Sequence, residues 1–225
     1  MRVSVVIPVL NEAESIARTL KQLHQAGLWQ RIVVDGGSED DTVSLAHLYA
    51  EMVTTSQRGR ARQMNAGALV AEGEVLLFLH ADTELPQGSL RMISDALKNP
   101  QIVGGRFDVR LDAEGWPFRM VETLMNIRSR LTKISTGDQA IFVRREVFQK
   151  MGGYPDLELM EDIEFSRRLK REGGIACLRE RVTTSARRWQ RDGIARTIVK
   201  MWMLRLCHFF GVSTARLRTH YADTR

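Results

Sequence analysis

A short apolar run, residues 75–79, leads directly into His80, Ala81 and Asp82. A run of this length predicts a buried parallel strand, and open α/β sheets bind ligands beyond the carboxyl ends of such strands. A carboxylate oxygen at that edge suits Mg²⁺ or Mn²⁺, metals that usually accompany a phosphate. Asp82 is therefore a candidate metal ligand, and capping of the following helix explains this residue equally well when it is taken alone.

Two further turns combine glycine, short polar side chains and carboxylates. Pro8, Asn11 and Glu12 lie where a first predicted strand meets a helix, and Asp35 and Gly36 lie at the corresponding point of the second. Two such turns side by side form a crevice of backbone N–H groups that suits a phosphate-bearing ligand. Asp35 is placed to accept hydrogen bonds from a base or a ribose, although turn chemistry alone also explains these residues.

Three arginines within residues 58–62 flank a glycine at the start of a predicted helix, just before Asn65. Guanidinium groups can bind phosphate in a bidentate manner, so Arg60 and Arg62 are candidate phosphate ligands. A solvated helix face is the alternative explanation of the same charges.

Two acidic residues, Glu161 and Asp162, open another predicted helix after a loop that contains glycine and proline. A carboxylate aimed by such a loop is a candidate general base, a role that typically contributes about 10²- to 10⁴-fold to a rate. Helix capping is the simpler interpretation of an isolated Glu-Asp pair. Gly137, Asp138 and Gln139 precede a strand-like segment and offer further polar atoms at a strand edge.

The elements that must hold these residues alternate between strand and helix. The strand-like segments of the first half are residues 2–9, 31–34, 52–54 and 75–82. The alternation predicts an α/β fold with a mostly parallel central sheet flanked by helices, in a single domain over residues 1–225. Residues 190–225 are expected to form a basic helical C-terminal extension. Its main helix, residues 194–210, is apolar almost all round, which favours core packing or a dimer contact over a membrane surface.

The net charge of +6 is concentrated toward the C-terminus, where 15 Lys/Arg stand against 4 Asp/Glu from Arg167 onward. Such an excess favours phosphorylated substrates or acidic lipid headgroups, and we expect no nucleic-acid partner. No segment reaches the roughly 18 apolar residues that a membrane span needs, and the first residues lack the features of a secretion signal. We therefore expect a cytoplasmic protein, with peripheral membrane contact and a homodimer left open.

Taken together and in this order, the motifs resemble those of the family-2 glycosyltransferases over roughly residues 3–189. The most specific parts are residues 8–12, residues 35–42, the His80-Ala81-Asp82 metal motif, and Glu161-Asp162. Residues 58–67, 137–139 and 185–189 are similar to a bacterial subgroup, the radical-SAM/selenodomain-associated transferases. Because this family consists of inverting enzymes of the GT-A fold that use nucleotide sugars, the resemblance implies that fold and that activity here.

The resemblance also implies a role for each motif. It implies a nucleotide-sugar site formed by Pro8, Asn11, Glu12, Asp35, Gly36, Arg60, Arg62, Asn65, Ala81 and Asp82. Asp82 would also hold Mg²⁺ or Mn²⁺ on the diphosphate. Asp162 would act as general base on the acceptor hydroxyl, with Glu161 in support. The side that receives a small or lipid-linked acceptor would comprise Gly137, Asp138, Gln139, Arg188 and Trp189.

The chain departs from the family pattern at His80, which stands where the first acid of the metal motif is usual, and at Gly36, which replaces a frequent second Asp. Two other functions fit some of the same residues. A nucleotidyltransferase shares the strand-edge carboxylate, but it releases pyrophosphate in place of a nucleoside diphosphate. A module that binds polyanions or membranes through the basic C-terminal region, with a degenerate donor site, is the non-enzymatic alternative.

Overall fold

An eight-stranded sheet runs through the part of the chain that the structure, a computed structural model, describes: residues 1–27 and 29–219. The strands are β1 (Val3–Val9), β2 (Gln30–Asp35), β3 (Met52–Thr55), β4 (Val75–Phe78), β5 (Thr83–Glu84), β6 (Ile102–Leu111), β7 (Ile141–Arg144) and β8 (Gly174–Thr184). The helices are α1 (Ala13–Gln25), α2 (Thr42–His47), α3 (Arg60–Val70), α4 (Ser89–Leu97), α5 (Trp116–Thr132), α6 (Arg145–Lys150), α7 (Glu161–Glu172), α8 (Arg187–Asp192), α9 (Ile194–Phe209) and α10 (Thr214–Thr219).

The strand order is β3-β2-β1-β4-β7-β6-β8-β5. The first four strands in that order run parallel to one another, and β6 runs parallel to β8. β7 is antiparallel to both of its neighbours, and β5 is antiparallel to β8. The sheet is therefore mostly parallel and flanked by helices, which confirms the α/β prediction.

Helices cover both faces of the first strands because apolar side chains alternate toward each face. Val5 and Ile7 of β1 lie in one core cluster with Ile16 of α1. Val6 lies in a second cluster with Met64 of α3, on the opposite face. Every residue of β1 and β2 is buried. The result is a rigid support whose carboxyl ends open on a common edge.

Helix α3 lies close to the sheet because Gly67 faces it. A Cβ atom at this position would come within 2.4 Å of Val6 Cγ1 and 2.9 Å of Val34 Cγ2. Even alanine would therefore push α3 away from β1 and β2, together with the polar side chains that this helix carries.

Two strands differ from the sequence prediction. The strand that precedes Asp82 ends at Phe78, and Asp82 lies in the turn before β5. The long strand β8 was not predicted. Its sequence contains Arg179, Glu180 and Arg181, all exposed. Because much of β8 faces solvent, the strand lacks the apolar alternation from which a strand is recognised.

The predicted C-terminal extension is helical in its described part, as α8, α9 and α10, and residues 220–225 lie outside the described residues. Helix α9 buries only Thr197 and Leu204. Its outer side exposes large apolar side chains, among them Trp202 and Phe209, each 71% exposed. Core packing is therefore the wrong interpretation for most of this helix. None of the described helices is long and apolar enough to cross a bilayer.

Candidate active site

The turns that follow β1 and β2 lie side by side and hold each other. The Asn11 N–H donates to Ser38 Oγ at 2.9 Å, and Asn11 Oδ1 accepts from the Glu39 N–H at 2.9 Å. Asn11 does this in a left-handed conformation (φ 53°), which asparagine tolerates better than most residues. We call residues 10–12 and 35–42 the paired turns. They bring the predicted polar residues to one edge of the sheet.

Asp35 is buried, and its own turn supplies its hydrogen-bond donors. The carboxylate accepts from the Gly37 N–H at 2.9 Å, the Ser38 N–H at 3.1 Å and Ser38 Oγ at 2.5 Å. Gly36 leaves room for the Gln63 side chain, whose Nε2 would lie 3.0 Å from a Cβ atom at position 36. Because an ionised carboxylate offers about four acceptor sites, Asp35 is held in place with capacity to spare for a ligand.

Two amide side chains of α3 hold neighbouring backbone in place. Gln63 is buried and donates to the carbonyl oxygens of Val9 and Val34 at 2.7 and 2.8 Å. Asn65 donates to the Tyr154 carbonyl at 2.8 Å and accepts from the Tyr154 N–H at 2.9 Å. The Asn65 amide, a predicted nucleotide contact, therefore fixes the loop before α7 in this structure and does not line the large cavity described below.

The two predicted phosphate ligands of α3, Arg60 and Arg62, lie in different surroundings. Arg60 lines the large cavity. Arg62 instead pairs with Asp156, with Nε 2.8 Å from Oδ1, and donates to Gln57 Oε1 at 3.2 Å. Arg60 therefore lies at the cavity, and Arg62 lies outside the cavity.

Arg187, at the start of α8, connects two of the predicted carboxylates. Its Nη2 lies 3.1 Å from Asp82 Oδ2 and 3.2 Å from Glu12 Oε2. The Glu12 side chain is only 7% exposed, so a cation beside it offsets the cost of burying its charge. The sequence analysis assigned no role to Arg187. The available signal was its position directly before Arg188 and Trp189.

A second cluster joins the end of β4 to the 3₁₀ turn Gly137–Gln139. His80 Nδ1 lies 3.3 Å from Asp138 Oδ1. Gly137 permits this approach, because a Cβ atom there would lie 2.5 Å from His80 Nε2. Gln139 is fully buried and completes a capping box with Thr136. Of the three predicted acceptor-side residues in this turn, Gln139 therefore supports the turn from within the core.

Glu161 and Asp162 begin α7, after Met160 in a left-handed conformation (φ 66°). Asp162 accepts from the Gly137 N–H at 3.0 Å through Oδ2 and from the Ile163 N–H at 2.7 Å through Oδ1. Burial raises the pKa of Glu161 to about 7, and the neighbouring Asp162 charge adds to the shift. The environment thus favours protonation of Glu161, whereas the Asp162 side chain is held in place by two backbone N–H donors.

A small cavity of about 10 Å³, room for roughly one water molecule, adjoins this acidic pair. Its lining includes Pro8, His80, Gly137, Glu161 and Asp162. Pro8, predicted as a nucleotide contact, therefore lies beside the acidic pair. The ends of β1 and β4, the 3₁₀ turn and the start of α7 therefore meet at the small cavity.

A cavity of about 530 Å³ opens beside these groups and has two unlike ends. The polar end is lined by Glu12, Arg60, His80, Ala81, Asp82, Asp138, Arg187 and Arg188. The apolar end lies between α5 and α9, which we call the helical wall, with Trp189 nearby on α8. A volume of this size accommodates a sugar nucleotide or a comparable small molecule.

The helical wall adds two cations that no motif includes. Arg128 of α5 and Arg205 of α9 both line the large cavity. Arg205 lies between Leu204 and Leu206, so a cation within an apolar helix was its only signal, whereas Arg128 lies among other polar residues and gave none. Both were missed because composition alone does not tell which face of a helix meets a cavity.

Within the described part of the chain, few side chains lie where they could bind a metal together. Within residues 1–27 and 29–219, no three His, Cys, Asp or Glu side chains gather closely enough to hold a metal by themselves. Mg²⁺, however, is often bound by one or two carboxylates together with substrate phosphates. Asp82, at the polar end of the cavity, fits that second arrangement, and Arg187 is the cation that contacts it in this structure.

Comparison with known proteins relates residues 4–152 to the family described as Glycosyl transferase family 2. The chain is 27% identical over 171 residues to Glycosyltransferase AglE of Haloferax volcanii, covering 68% of this chain and 56% of that protein. It is 31% identical over 162 residues to the undecaprenyl-phosphate 4-deoxy-4-formamido-L-arabinose transferase of Proteus mirabilis, covering 64% of this chain and 48% of the relative. The chain thus spans about half the length of these two relatives.

Among solved structures, S. aureus TarS 1-349 in complex with UDP-GlcNAc superposes with a TM-score of 0.67 at 19% identity, covering 82% of this chain and 58% of TarS 1-349. At that level of identity the likeness concerns the fold alone. The fold is of the GT-A type, with the paired turns and the end of β4 on one edge of the sheet.

Proposed function

We propose that this chain, which belongs to glycosyl transferase family 2, transfers a sugar from a nucleotide-diphosphate sugar to an acceptor hydroxyl with inversion at the anomeric carbon. The observation that carries the proposal is a cavity large enough for the donor whose polar end is lined by residues from several of the motifs, namely Glu12, Arg60, Asp82, Asp138 and Arg188. Membership of the family supports the use of a nucleotide-sugar donor, and the subgroup resemblance adds no substrate.

The donor is proposed to lie across the paired turns. Asp35, rigidly held at the end of β2, would accept hydrogen bonds from the base or ribose, and the paired turns beside it would contact the nucleotide. Arg60 would neutralise part of the diphosphate charge, since it is the α3 arginine that lines the cavity. Electrostatic stabilisation of the departing nucleoside diphosphate is usually the largest contribution in chemistry of this kind.

Asp82 would hold Mg²⁺ or Mn²⁺ against the diphosphate oxygens, and such a metal acts as a Lewis acid on the leaving group. Arg187 contacts Asp82 and Glu12, so its position ties α8 to the same carboxylates. Arg188 and Trp189 of α8 line the cavity and would contact the acceptor or the diphosphate.

Asp162 is proposed to take the proton of the acceptor hydroxyl. The oxygen then attacks the anomeric carbon from the side opposite the nucleotide, the bond from that carbon to the diphosphate oxygen breaks, and the nucleoside diphosphate leaves with the electron pair. This direct displacement inverts the anomeric centre without a covalent sugar-enzyme intermediate. Glu161, with its raised pKa, would remain protonated in part beside Asp162.

The acceptor is proposed to be small or lipid-linked, and contact with a membrane surface would be peripheral. The helical wall supports this, because it exposes Leu131 (79%) and Phe209 (71%) next to a cavity that leads toward the polar groups. One relative is named as an undecaprenyl-phosphate transferase. Co-sedimentation with liposomes tests the contact, and concentration-dependent dimerisation without liposome binding would assign the surface to a second copy instead.

The experiment that tests the function is a panel of UDP-, GDP-, TDP- and CDP-sugars, each with and without Mn²⁺, followed by thermal unfolding. We expect one nucleotide class to raise the melting temperature in a metal-dependent way. Turnover of that donor should release the nucleoside diphosphate and give a product of inverted configuration by NMR. Release of pyrophosphate would identify a nucleotidyltransferase, and liposome binding without any nucleotide effect would favour the membrane module.

A further inference from the structure

Two arginines face the large cavity from different helices of the helical wall. Arg128 lies on α5 and Arg205 on α9, and both line the cavity. The Nε and Nη2 atoms of Arg128 and the Nε atom of Arg205 are buried without a hydrogen-bond partner among the residues that the structure describes. Burying donors of a charged group without partners is costly, and an anion in the cavity beside both guanidinium groups would offset that cost.

Other arginines of this region have carboxylate partners close at hand. Arg130, two residues from Arg128, pairs with Asp108 at 2.7 Å. For Arg128 and Arg205, the carboxylates that attract them are Asp138 and Asp162, which make no ion pair with them within the described part of the chain. Burial lowers the pKa of Arg128 to about 10, and the Arg205 charge adds to the shift. With a pKa of about 10, the Arg128 guanidinium group still carries its charge at neutral pH.

The surroundings of Arg128 and Arg205 suit a ligand that has both a charged group and an apolar chain. On one side lies the polar end of the cavity, with His80 and Asp138. On the other side the cavity is lined by apolar side chains of the helical wall: Val121, Leu124, Ile127, Leu131, Ile198, Met201 and Trp202. Several of these side chains are also exposed at the outer surface, so a chain seated between α5 and α9 can leave the protein toward a lipid layer.

We propose that Arg128 and Arg205 bind a phosphate of a lipid-linked acceptor, whose hydrocarbon chain lies between α5 and α9. Two guanidinium groups suit a phosphate because its oxygens accept several charge-assisted hydrogen bonds at once. The phosphate would anchor the acceptor at the border between the polar and apolar ends and so present its reactive group to Asp162. This assignment rests on the proposed function for its place in the reaction, whereas the binding itself can be tested without any sugar donor.

The probe is farnesyl phosphate, titrated by calorimetry below its aggregation limit into the full chain. Farnesol supplies the same hydrocarbon without the charge, and inorganic phosphate supplies the anion without the chain. We expect farnesyl phosphate to bind at least about tenfold more tightly than either. R128Q and R205Q should each weaken its binding about tenfold, whereas R196Q, at an exposed position of α9 outside the cavity, should change it less than twofold.

Each alternative result has a defined meaning. Equal affinity for farnesol and farnesyl phosphate, or R128Q and R205Q affinities like that of the parent, would overturn the proposal. Inorganic phosphate binding as tightly as farnesyl phosphate would overturn the lipid part and leave a simple anion site. A matched loss of UDP-sugar affinity in R128Q and R205Q would assign the pair to the donor diphosphate. Because Gln removes an unpaired buried charge, both variants should keep the parent's melting temperature, which thermal unfolding checks.

The two levels of inference fail separately. A chain that binds farnesyl phosphate through this pair but no nucleotide sugar would refute the proposed function and retain the phosphate site. A chain that binds and turns over a nucleotide sugar with a water-soluble acceptor, with R128Q and R205Q unchanged, would refute the phosphate site and retain the function.

Discussion

The paired turns satisfy most of their own hydrogen-bonding groups, whereas the helical wall leaves cations and apolar surface open. Asp35 is fixed by backbone N–H groups of its own turn, and Asn11 is fixed by the Glu39 N–H of the neighbouring turn. On the wall, Arg128 and Arg205 have buried donors without a partner among the described residues, and Trp202 is mostly exposed. The paired turns are therefore preorganised by their own hydrogen bonds, whereas the helical wall has charged and apolar groups that suit a bound ligand.

The family match separates these two regions only in part. It covers residues 4–152, which include the paired turns, the end of β4 and helix α5, and it ends before α7 and α9. A common donor chemistry needs the same rigid turns in every member. We expect differences between members to concentrate in α9, the half of the wall that lies outside the match.

The largest effect is expected at the acidic pair that begins α7, beside the small cavity. Replacing Asp162 by Asn should lower kcat by about 10²- to 10⁴-fold, because the amide cannot take the acceptor proton. Donor affinity should stay within about twofold. The measurement is steady-state kinetics with calorimetric donor titration, and D95N, on the exposed surface of α4, is the matched control. Normal turnover by D162N would remove this residue from the base role.

The next effect is a pH dependence of stability that separates Glu161 from ordinary surface acids. Its pKa rises from 4.5 to about 7 on folding, so between these values the unfolded chain releases a proton that the folded chain keeps. Stability should therefore fall as the pH rises through this window, by roughly 3 kcal/mol in all. E161Q should abolish the fall, whereas E164Q on the same helix should retain it. Denaturant unfolding from pH 4 to 8 measures both.

A third substitution removes hydrogen bonds that hold the backbone beside the paired turns. Gln63→Leu removes the two hydrogen bonds to Val9 and Val34 and leaves buried carbonyl oxygens without that donor. We expect a loss of about 2 kcal/mol in unfolding free energy. Q149L, at an exposed site on α6, should have little effect. A Q63L protein as stable as the parent would show that the paired turns do not depend on this amide.

A smaller effect concerns the metal. Asp82→Ala should weaken Mn²⁺-dependent donor binding about tenfold, since loss of even a supporting residue typically lowers metal affinity by about 10- to 100-fold. Binding without metal should change much less. Calorimetry with and without Mn²⁺ measures the difference, and equal losses under both conditions would argue that Asp82 acts through Arg187 alone.

The smallest effect distinguishes the two arginines of α3. R60Q should weaken donor binding several-fold because Arg60 lines the cavity. R62Q should leave it almost unchanged, because Arg62 pairs with Asp156 at the surface and exposed pairs contribute little. Titration of both variants side by side checks the contrast, and a larger loss in R62Q would restore the sequence prediction for Arg62.

Sequence reasoning was strongest where one local rule decides the outcome. Apolar runs followed by polar residues predicted the strands that lead to Asp35 and Asp82, although β4 ends at Phe78, four residues before Asp82. It was weaker for Asn65 and Gln139, because the partner of an amide depends on tertiary contacts that no spacing reveals. It missed β8 and Arg205 for the same reason: a strand with charged residues and a cation in an apolar helix acquire meaning only once their neighbours are known.

Gly137 has no side chain to react, yet it limits how the sequence can diverge. A Cβ atom at this position would occupy space 2.5 Å from the His80 ring, and the ring in turn faces Asp138. Any larger residue would turn the imidazole away from its carboxylate partner. Sequences that retain histidine at position 80 should therefore keep glycine at position 137. Sequences with a smaller residue at position 80 should tolerate other residues at position 137. The two positions are expected to vary together over evolutionary time, although 56 positions separate them along the chain.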